Sequence, residues 1–276
     1  MTRIVTTTPF RILSLNVAQL PFPLGIKNRN ARAKNLVDKI LAIDQEQPDV
    51  ICLQELFRHR GRKYVIKALE DIYRFVFADN RRGRHLLGVN SGLAILSRFP
   101  IIDKMIHRYT KYRGVENFAK KSILGVMLEI NDDEYVCVFT THLQTGLGGE
   151  PCICKLFETN SDTSNELKTM QIQEAATAIQ DFRRSTHPVY FVGDFNIPAN
   201  KPLYLITSAI LLARCNIVDV FDHNESELDT SVIGREDRRI DHLFASSPES
   251  SQNVISSHFG TYGDVTDHYA VSGFVN

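Results

Sequence analysis

The chain has no surplus of either charge. Lys plus Arg and Asp plus Glu each number 32 in 276 residues, so the formal net charge is zero. No global field draws it toward nucleic acid or anionic lipid, and any such attraction has to be local. A bilayer-spanning run is missing too. The longest apolar stretch, Leu203 to Ala213, is too short to cross a membrane and reads as a packed helix. Met1 to Pro9 is polar and lacks the apolar core of a secretory signal. The expectation is a cytoplasmic protein, with export by a dedicated secretion system as the alternative. The five cysteines make an odd set without regular spacing. Cys152 and Cys154 stand one residue apart, but no second pair or nearby histidine completes a zinc set. The thiols read as reduced. No repeat or linker divides the chain. Hydrophobic residues make up 43%, enough for a sizeable core, and residues 1–276 read as one domain.

What is present is a recurring arrangement: an apolar strand that ends on a polar side chain. The fullest case is Tyr190-Phe191-Val192-Gly193-Asp194-Phe195-Asn196-Ile197-Pro198. An aromatic and β-branched run predicts a buried strand. Asp194 and Asn196 are two apart, so on an extended backbone they face the same way. Taken alone the stretch is equally an Asx turn. The same pattern recurs. Phe10 to Val17 predicts a strand delivering Asn16 to a rim. Val50 to Leu53 predicts a short buried strand followed by Gln54 and Glu55, and Tyr135 to Thr141 runs into His142. Arg238-Arg239-Ile240-Asp241-His242-Leu243-Phe244 predicts a strand carrying a carboxylate. Asp267 and His268 stand just before a closing strand.

Between these strands, helical spacing predicts helices over Asn30 to Gln45, Asn165 to Arg184 and Pro202 to Leu212. The second has Leu167, Met170, Ile172, Ala175, Ala176, Ile179 and Phe182 on its inner side. Strands are predicted over Gly92 to Ser97, Ile123 to Ile130 and Asn216 to Phe221. Thr145 to Thr163, with three glycines and no periodicity, predicts a binding loop, a lid or an insert. Arg58 to Lys63 and Arg81 to His85 are basic clusters, expected on connections near one rim. Charge runs are usually solvated faces, but that placement also allows phosphate contact.

The polar residues at strand ends are Asn16, Glu55, His142, Asp194, Asn196, Asp241, Asp267 and His268. Carboxylates and an amide are hard oxygen ligands that suit Mg²⁺, with Mn²⁺ as the alternative, better than zinc. Mg²⁺ needs only one or two protein carboxylates when substrate phosphate oxygens join them. The histidines then serve as base and charge stabiliser. The pattern favours metal-assisted attack of water on a phosphate ester.

In order, Leu15–Val17 (LNV), Gln54–Glu55 (QE), Thr141–Gln144 (THLQ), Gly193–Asn196 (GDFN), Arg239–Phe244 (RIDHLF) and Thr266–Val271 (TDHYAV) resemble the endonuclease/exonuclease/phosphatase superfamily, the DNase I-like metal phosphoesterases. Each motif is weak, and six in the family's order are strong. The resemblance implies a four-layered α/β sandwich, with two mixed sheets face to face, helices outside and the site at one end. It implies Glu55 as main Mg²⁺ ligand with Asn16 beside it, and Asp267 near the metal through water. Asp194 would align or deprotonate the attacking water, and Asn196 would bind phosphoryl oxygens. His268 would be general base or acid, held by Asp241, and His142 would stabilise charge on phosphorus.

Within that superfamily, Thr141–Gln144, a long loop and Lys168 to Glu174 are similar to the neutral sphingomyelinase branch, as is Ser91 to Ile101. Phe118 to Ser122 resembles that branch's basic motif, with Ser122 where glycine is usual, and this makes Lys121 a substrate-binding candidate alongside Arg58. The aromatic β-hairpin with which secreted bacterial members grip membranes is not visible, and the chain has no tryptophan. The resemblance therefore implies a monomeric phosphodiesterase acting on a phospholipid head group, with peripheral membrane contact. A nuclease of DNase I or AP endonuclease type, and a phosphatase of phosphoinositides or other small phosphate esters, are the alternatives.

Overall fold

Runs such as Val50–Leu53 and Ile123–Leu128 have no polar face, so both their faces need covering. In the computed structural model they are covered. The structure describes residues 10–20, 28–43, 47–80, 90–113, 120–145, 161–184, 187–221, 239–246 and 265–275. The elements are β1 (Phe10–Asn16), α1 (Arg29–Leu41), β2 (Val50–Gln54), α2 (His59–Leu69), β3 (Phe75–Ala78), β4 (Ala94–Ser97), β5 (Ile101–Arg108), β6 (Ser122–Asn131), β7 (Glu134–His142), α3 (Ser161–Phe182), β8 (Val189–Asp194), α4 (Pro202–Cys215), β9 (Ile217–Asp219), β10 (Asp241–Ser246) and β11 (Val271–Val275).

They form two mixed sheets, ordered β11-β1-β2-β4-β3 and β5-β6-β7-β8-β10-β9. Side chains alternate across each strand, which sorts the core into three slabs. Ile12, Val50, Cys52, Ile95, Leu124, Val126, Val138, Val192 and Leu243 fill the space between the sheets. Leu13, Leu15, Ile51 and Leu53 point outward against Leu36, Val37, Ile40, Val65 and Leu69 of α1 and α2. Phe139, Phe191 and Phe244 point outward on the second sheet, against Ile172, Ala175, Ala176, Ile179 and Leu211 of α3 and α4. The result is the expected four-layered sandwich. Two pairs, β1–β2 and β7–β8, are parallel, and each needs a helical crossover. Both pairs finish at the same end, where Asn16, Glu55, His142 and Asp194 meet.

Several expectations are corrected. Arg58–Lys63 does not lie on a connection: from His59 onward it is the first turns of α2, with Gly61, Arg62, Val65 and Leu69 buried. β5 lies between the strands predicted over Gly92 to Ser97 and Ile123 to Ile130, where no strand was predicted, and its half-exposed pattern hid it. α3 begins at Ser161, inside the stretch expected to be a loop, and Met170 is 45% exposed rather than inward. α4 is not packed all round, because Leu205 is 68% exposed. Residues 146–160, the cluster Arg81 to His85, and Cys152 and Cys154 lie outside the described residues. The described cysteines Cys52, Cys137 and Cys215 are free and buried. Among the described residues no helix is long and apolar enough to cross a membrane.

Candidate active site

Three strands of the second sheet set the frame. His142 ends β7 in parallel register with Asp194 of β8, and Asp241 begins β10 directly opposite Asp194 in antiparallel register. Gly193 is required for this closeness. Its φ is +144°, and a Cβ there would lie 2.1 Å from the Thr141 carbonyl oxygen. From the first sheet, β1 delivers Asn16, whose Nδ2 donates to Asp194 Oδ2 at 3.0 Å. Glu55 follows β2 with φ +55°, and Asn196 follows β8 with φ +53°. Left-handed backbone costs a non-glycine residue about 1–3 kcal/mol and collects at functional sites. The Glu55 carboxylate and the Asn196 amide are thus each re-aimed by a backbone turn that alternation along the sequence does not reveal.

The charged atoms converge. His268 Nδ1 donates to Asp241 Oδ2 at 2.9 Å, and its Nε2 lies 3.9 Å from Asp194 Oδ2. His142 Nε2 is 3.6 Å from Asp194 Oδ2 and 3.8 Å from Glu55 Oε1. Among the described residues, neither ring nitrogen of His142 has a hydrogen-bond partner. Lys121, buried, donates Nζ to the Leu143 carbonyl at 3.0 Å. Asn196 donates Nδ2 to the same carbonyl at 3.2 Å, and its backbone N–H donates to Asp194 Oδ1 at 2.9 Å.

These positions set the protonation states. Burial pushes the Glu55 carboxyl up to about 7, against the opposing pull of Lys121, His268 and Asn16. Burial also disfavours charge on Asp194, but His142, His268, Asn16 and Lys121 hold it below the usual carboxylate range. Burial, then the Lys121 charge, pushes His142 down to about 3, so it is a neutral imidazole. Burial works against charge on His268, yet Asp241, Asp194 and Asp267 raise it to about 10.

Of the sequence-derived site residues, Asn16, Glu55, Lys121, His142, Asp194, Asn196, Asp241 and His268 come together. Asp267 adjoins them but is exposed, with Thr266 Oγ1 at 3.4 Å from its Oδ1. Arg58 is tied instead to α1, donating to Asn30 Oδ1 at 2.6 Å. Three supports were not foreseen. Lys168 of α3 donates to the Asn196 carbonyl at 2.7 Å. Arg32 of α1 donates to the carbonyls of Val17, Ala18 and Val265. Thr266 Oγ1 donates to the Asn16 carbonyl at 2.7 Å, fastening the last loop to β1. Lys168 and Thr266 each open a family-like motif that did not reveal this role, and Arg32 had no sequence signal beyond its charge.

The donor set fits a hard divalent cation. Glu55 is a mostly enclosed carboxylate, 15% exposed, whose charge the protein alone compensates poorly, and Asn16 and Asp194 offer oxygen beside it. Among the described residues, Asp194, Asp241 and His268 also have ligand-capable atoms within 4.8 Å of one another. The short Asp241–His268 hydrogen bond occupies Nδ1, which leaves that pair better suited to handling a proton than to a full ligand set.

The pattern of the endonuclease/exonuclease/phosphatase family matches residues 13–268. Sphingomyelinase C of Bacillus cereus is 25% identical over 68% of this chain and 62% of its own length. A sphingomyelinase of Dictyostelium discoideum is 27% identical over 48% of this chain and 29% of its own length. The chain thus spans 62% and 29% of the length of these two relatives, less than two thirds of each. Among solved structures, SmcL superposes with TM-score 0.75 at 20% identity, covering 97% of this chain and 99% of its own. Staphylococcus aureus beta toxin with bound magnesium ions has TM-score 0.73 at 18% identity, covering 98% and 100%. TDP2 of Danio rerio with a single-strand DNA product has TM-score 0.69 at 16% identity, covering 98% and 100%. At these identities the structural likenesses speak to the fold.

Proposed function

The chain belongs to the endonuclease/exonuclease/phosphatase family, and on that footing we propose that it is a Mg²⁺-dependent phosphodiesterase that releases the head group of a phospholipid, sphingomyelin first. The observation that carries the hydrolase reading is the single cluster formed by Glu55, Asp194 and the Asp241–His268 pair. The relatives named as sphingomyelinases support the lipid substrate.

Glu55 and Asn16 would hold the cation, with Asp267 reaching it through water. When bound, Mg²⁺ withdraws charge from the phosphoryl oxygens and adds to electrostatic stabilisation of the transition state. Asp194, kept ionised, orients the attacking water through one carboxylate oxygen while the Asn196 N–H fixes the other. Without a cation the carboxylates of Asp241, Asp194 and Asp267 keep His268 protonated. With their pull offset by a divalent cation beside Asp194 and Asp267, its Nε2 is free to accept the water proton as the phosphorus–oxygen bond to the lipid breaks. The departing alkoxide takes a proton from solvent, while Asp241 stabilises the imidazolium that results, as in other His–carboxylate pairs. His142 acts as a neutral N–H donor to a phosphoryl oxygen, and the neighbouring Lys121 supplies the positive charge. Asn196 binds a second phosphoryl oxygen through its amide. Removing one such donor typically costs about a hundredfold to a thousandfold in rate.

A second reading, a Mg²⁺-dependent nuclease, draws support from the shared fold of TDP2 bound to DNA. Zero net charge weighs against it, because phosphate contacts supply most nucleic-acid affinity. The test sets sphingomyelin, a phosphoinositide and plasmid DNA side by side, each with Mg²⁺ and with EDTA. Phosphocholine released from sphingomyelin only with Mg²⁺ is the expected result. Nicked plasmid with intact lipid would replace this reading with the nuclease.

A further inference from the structure

β5 leads into the rim that carries the site, because Arg108 at its end pairs with Ser122 at the start of β6, beside the end of β7. Just beyond β5 come Lys111, Tyr112 and Arg113, all exposed. This short segment is not loose. Gln144, two residues past His142, accepts from the Arg113 N–H at 3.1 Å and donates to the Arg113 carbonyl at 3.3 Å. Gln171 of α3 donates to the Lys111 carbonyl at 2.9 Å and accepts from the Gln144 N–H at 2.9 Å. An exposed aromatic between two cations is thus pinned at the mouth of the site.

An apolar surface continues from it. A cleft of about 390 Å³ holds Lys111, Met170, Ile210 and Arg214 in its walls. Its carboxylate, Glu174, is engaged by Thr110 and by His107 Nε2 at 3.0 Å. One turn before Ile210 on the same face of α4 is Ile206, 49% exposed, next to Leu205 at 68%. Ala209, Leu212 and Ala213 extend the exposed apolar stripe down α4. The fourteen residues of α4 include no Asp or Glu, and its one charged residue is Arg214. A water-facing helix this apolar is unusual, and such surfaces mark contacts.

We propose that this rim, Lys111-Tyr112-Arg113 with Met170, Leu205 and Ile206, seats the protein on a lipid bilayer that carries anionic lipid. This deepens the phospholipase reading above and rests on it, since a lipid substrate must be reached at its membrane. The chemistry matches an interface: aliphatic side chains for the acyl boundary, a tyrosine for the head-group level and cations for anionic head groups. A second copy fits less well, because a stable protein interface needs about 20–30 residues on each side and the stripe is a handful wide.

The test is co-sedimentation of the whole chain with vesicles free of sphingomyelin, made of phosphatidylcholine alone or with phosphatidylserine. Wild type is expected to bind the mixed vesicles, and to bind phosphatidylcholine alone more weakly. The variant Tyr112→Ser/Met170→Ser/Ile206→Ser is expected to lose about tenfold or more in partitioning, and Lys111→Glu/Arg113→Glu to abolish the preference for phosphatidylserine. Both variants are expected to keep wild-type hydrolysis of bis(p-nitrophenyl) phosphate, a water-soluble phosphodiester. Wild type that stays in solution, or a triple variant that binds as wild type does, overturns the proposal. So does a wild-type dimer that the triple variant turns into a monomer. If binding holds while no phosphodiester is cut, the catalytic reading fails and the docking surface stands.

Discussion

At the scale of single residues, the site is defined by what burial does to its charges. Glu55 is an acid that the folded chain, without a cation, prefers to keep protonated, with its carboxyl raised from 4.5 to about 7. A raised folded-state value contributes stability that is complete below pH 4.5 and lost as pH rises toward 7. In EDTA, Glu55→Gln removes that loss. The melting temperature of Glu55→Gln minus that of wild type is therefore expected to grow between pH 4.5 and 7, and added Mg²⁺ is expected to reverse the gain by stabilising wild type alone. Equal pH profiles in EDTA would mean that the Glu55 carboxyl is not raised, and an equal Mg²⁺ stabilisation of the two proteins would remove Glu55 from the role of ligand. The residues of this cluster were legible in the sequence because each stands at or beside the end of an apolar strand. Their protonation was not. His142 sits at a strand end as expected, yet burial beside Lys121 makes it a neutral donor, and no local pattern announces that neighbour. Arg58 misled for the opposite reason: a basic run shows charge, while its partner Asn30 comes from a different helix.

At the scale of elements, the hinge of the design is the junction where β9, β10 and α4 meet beneath the GDFN turn. The buried Asp219 carboxylate, at the end of β9, accepts from Tyr204 Oη at 2.7 Å, from Arg239 at 2.8 Å and from the Phe221 N–H at 3.0 Å. His242 stands 3.2 Å away through Nδ1 and reaches the Ile197 carbonyl through Nε2 at 2.8 Å. This knot holds the turn after Asn196 against the strand that begins with Asp241. Burial opposes the Asp219 charge, but His242, Arg239 and the Phe221 N–H hold its carboxyl well below the usual carboxylate range. Its stabilising contribution is therefore present above the ordinary value of 3.8 and is lost as pH falls through the lower folded-state value. Asp219→Asn is expected to cost about 3–5 kcal/mol at neutral pH, the usual cost of breaking a buried ion pair. The gap to wild type is expected to close below pH 4 in acid unfolding followed by circular dichroism; a gap independent of pH would mean that the knot is not ionic. Sequence periodicity found β8, β10 and α4 but not this knot, since its members come from four separate segments. The same limit hid β5, whose Ile101–Arg108 pattern mixes charge and apolar residues as an edge strand can.

At the scale of the whole molecule, the architecture has one consequence: two sheets, each with a parallel pair, place strand ends from both halves of the chain around one point. Asn16 and Asp194 are 178 residues apart in sequence and 3.0 Å apart in space. Family motifs in their order made this convergence legible, because a fixed order of weak signals encodes a topology that no one of them does. Placement of the supports Lys168, Arg32 and Thr266 was not legible, since each acts through a backbone carbonyl and any donor of the right reach would serve. The most direct test is the turnover number of His268→Ala for phosphocholine release from sphingomyelin at saturating Mg²⁺, read beside an unchanged circular dichroism spectrum. A fall of about a hundredfold or more is expected for the loss of a general base. A rate near that of wild type in the folded variant would contradict the account.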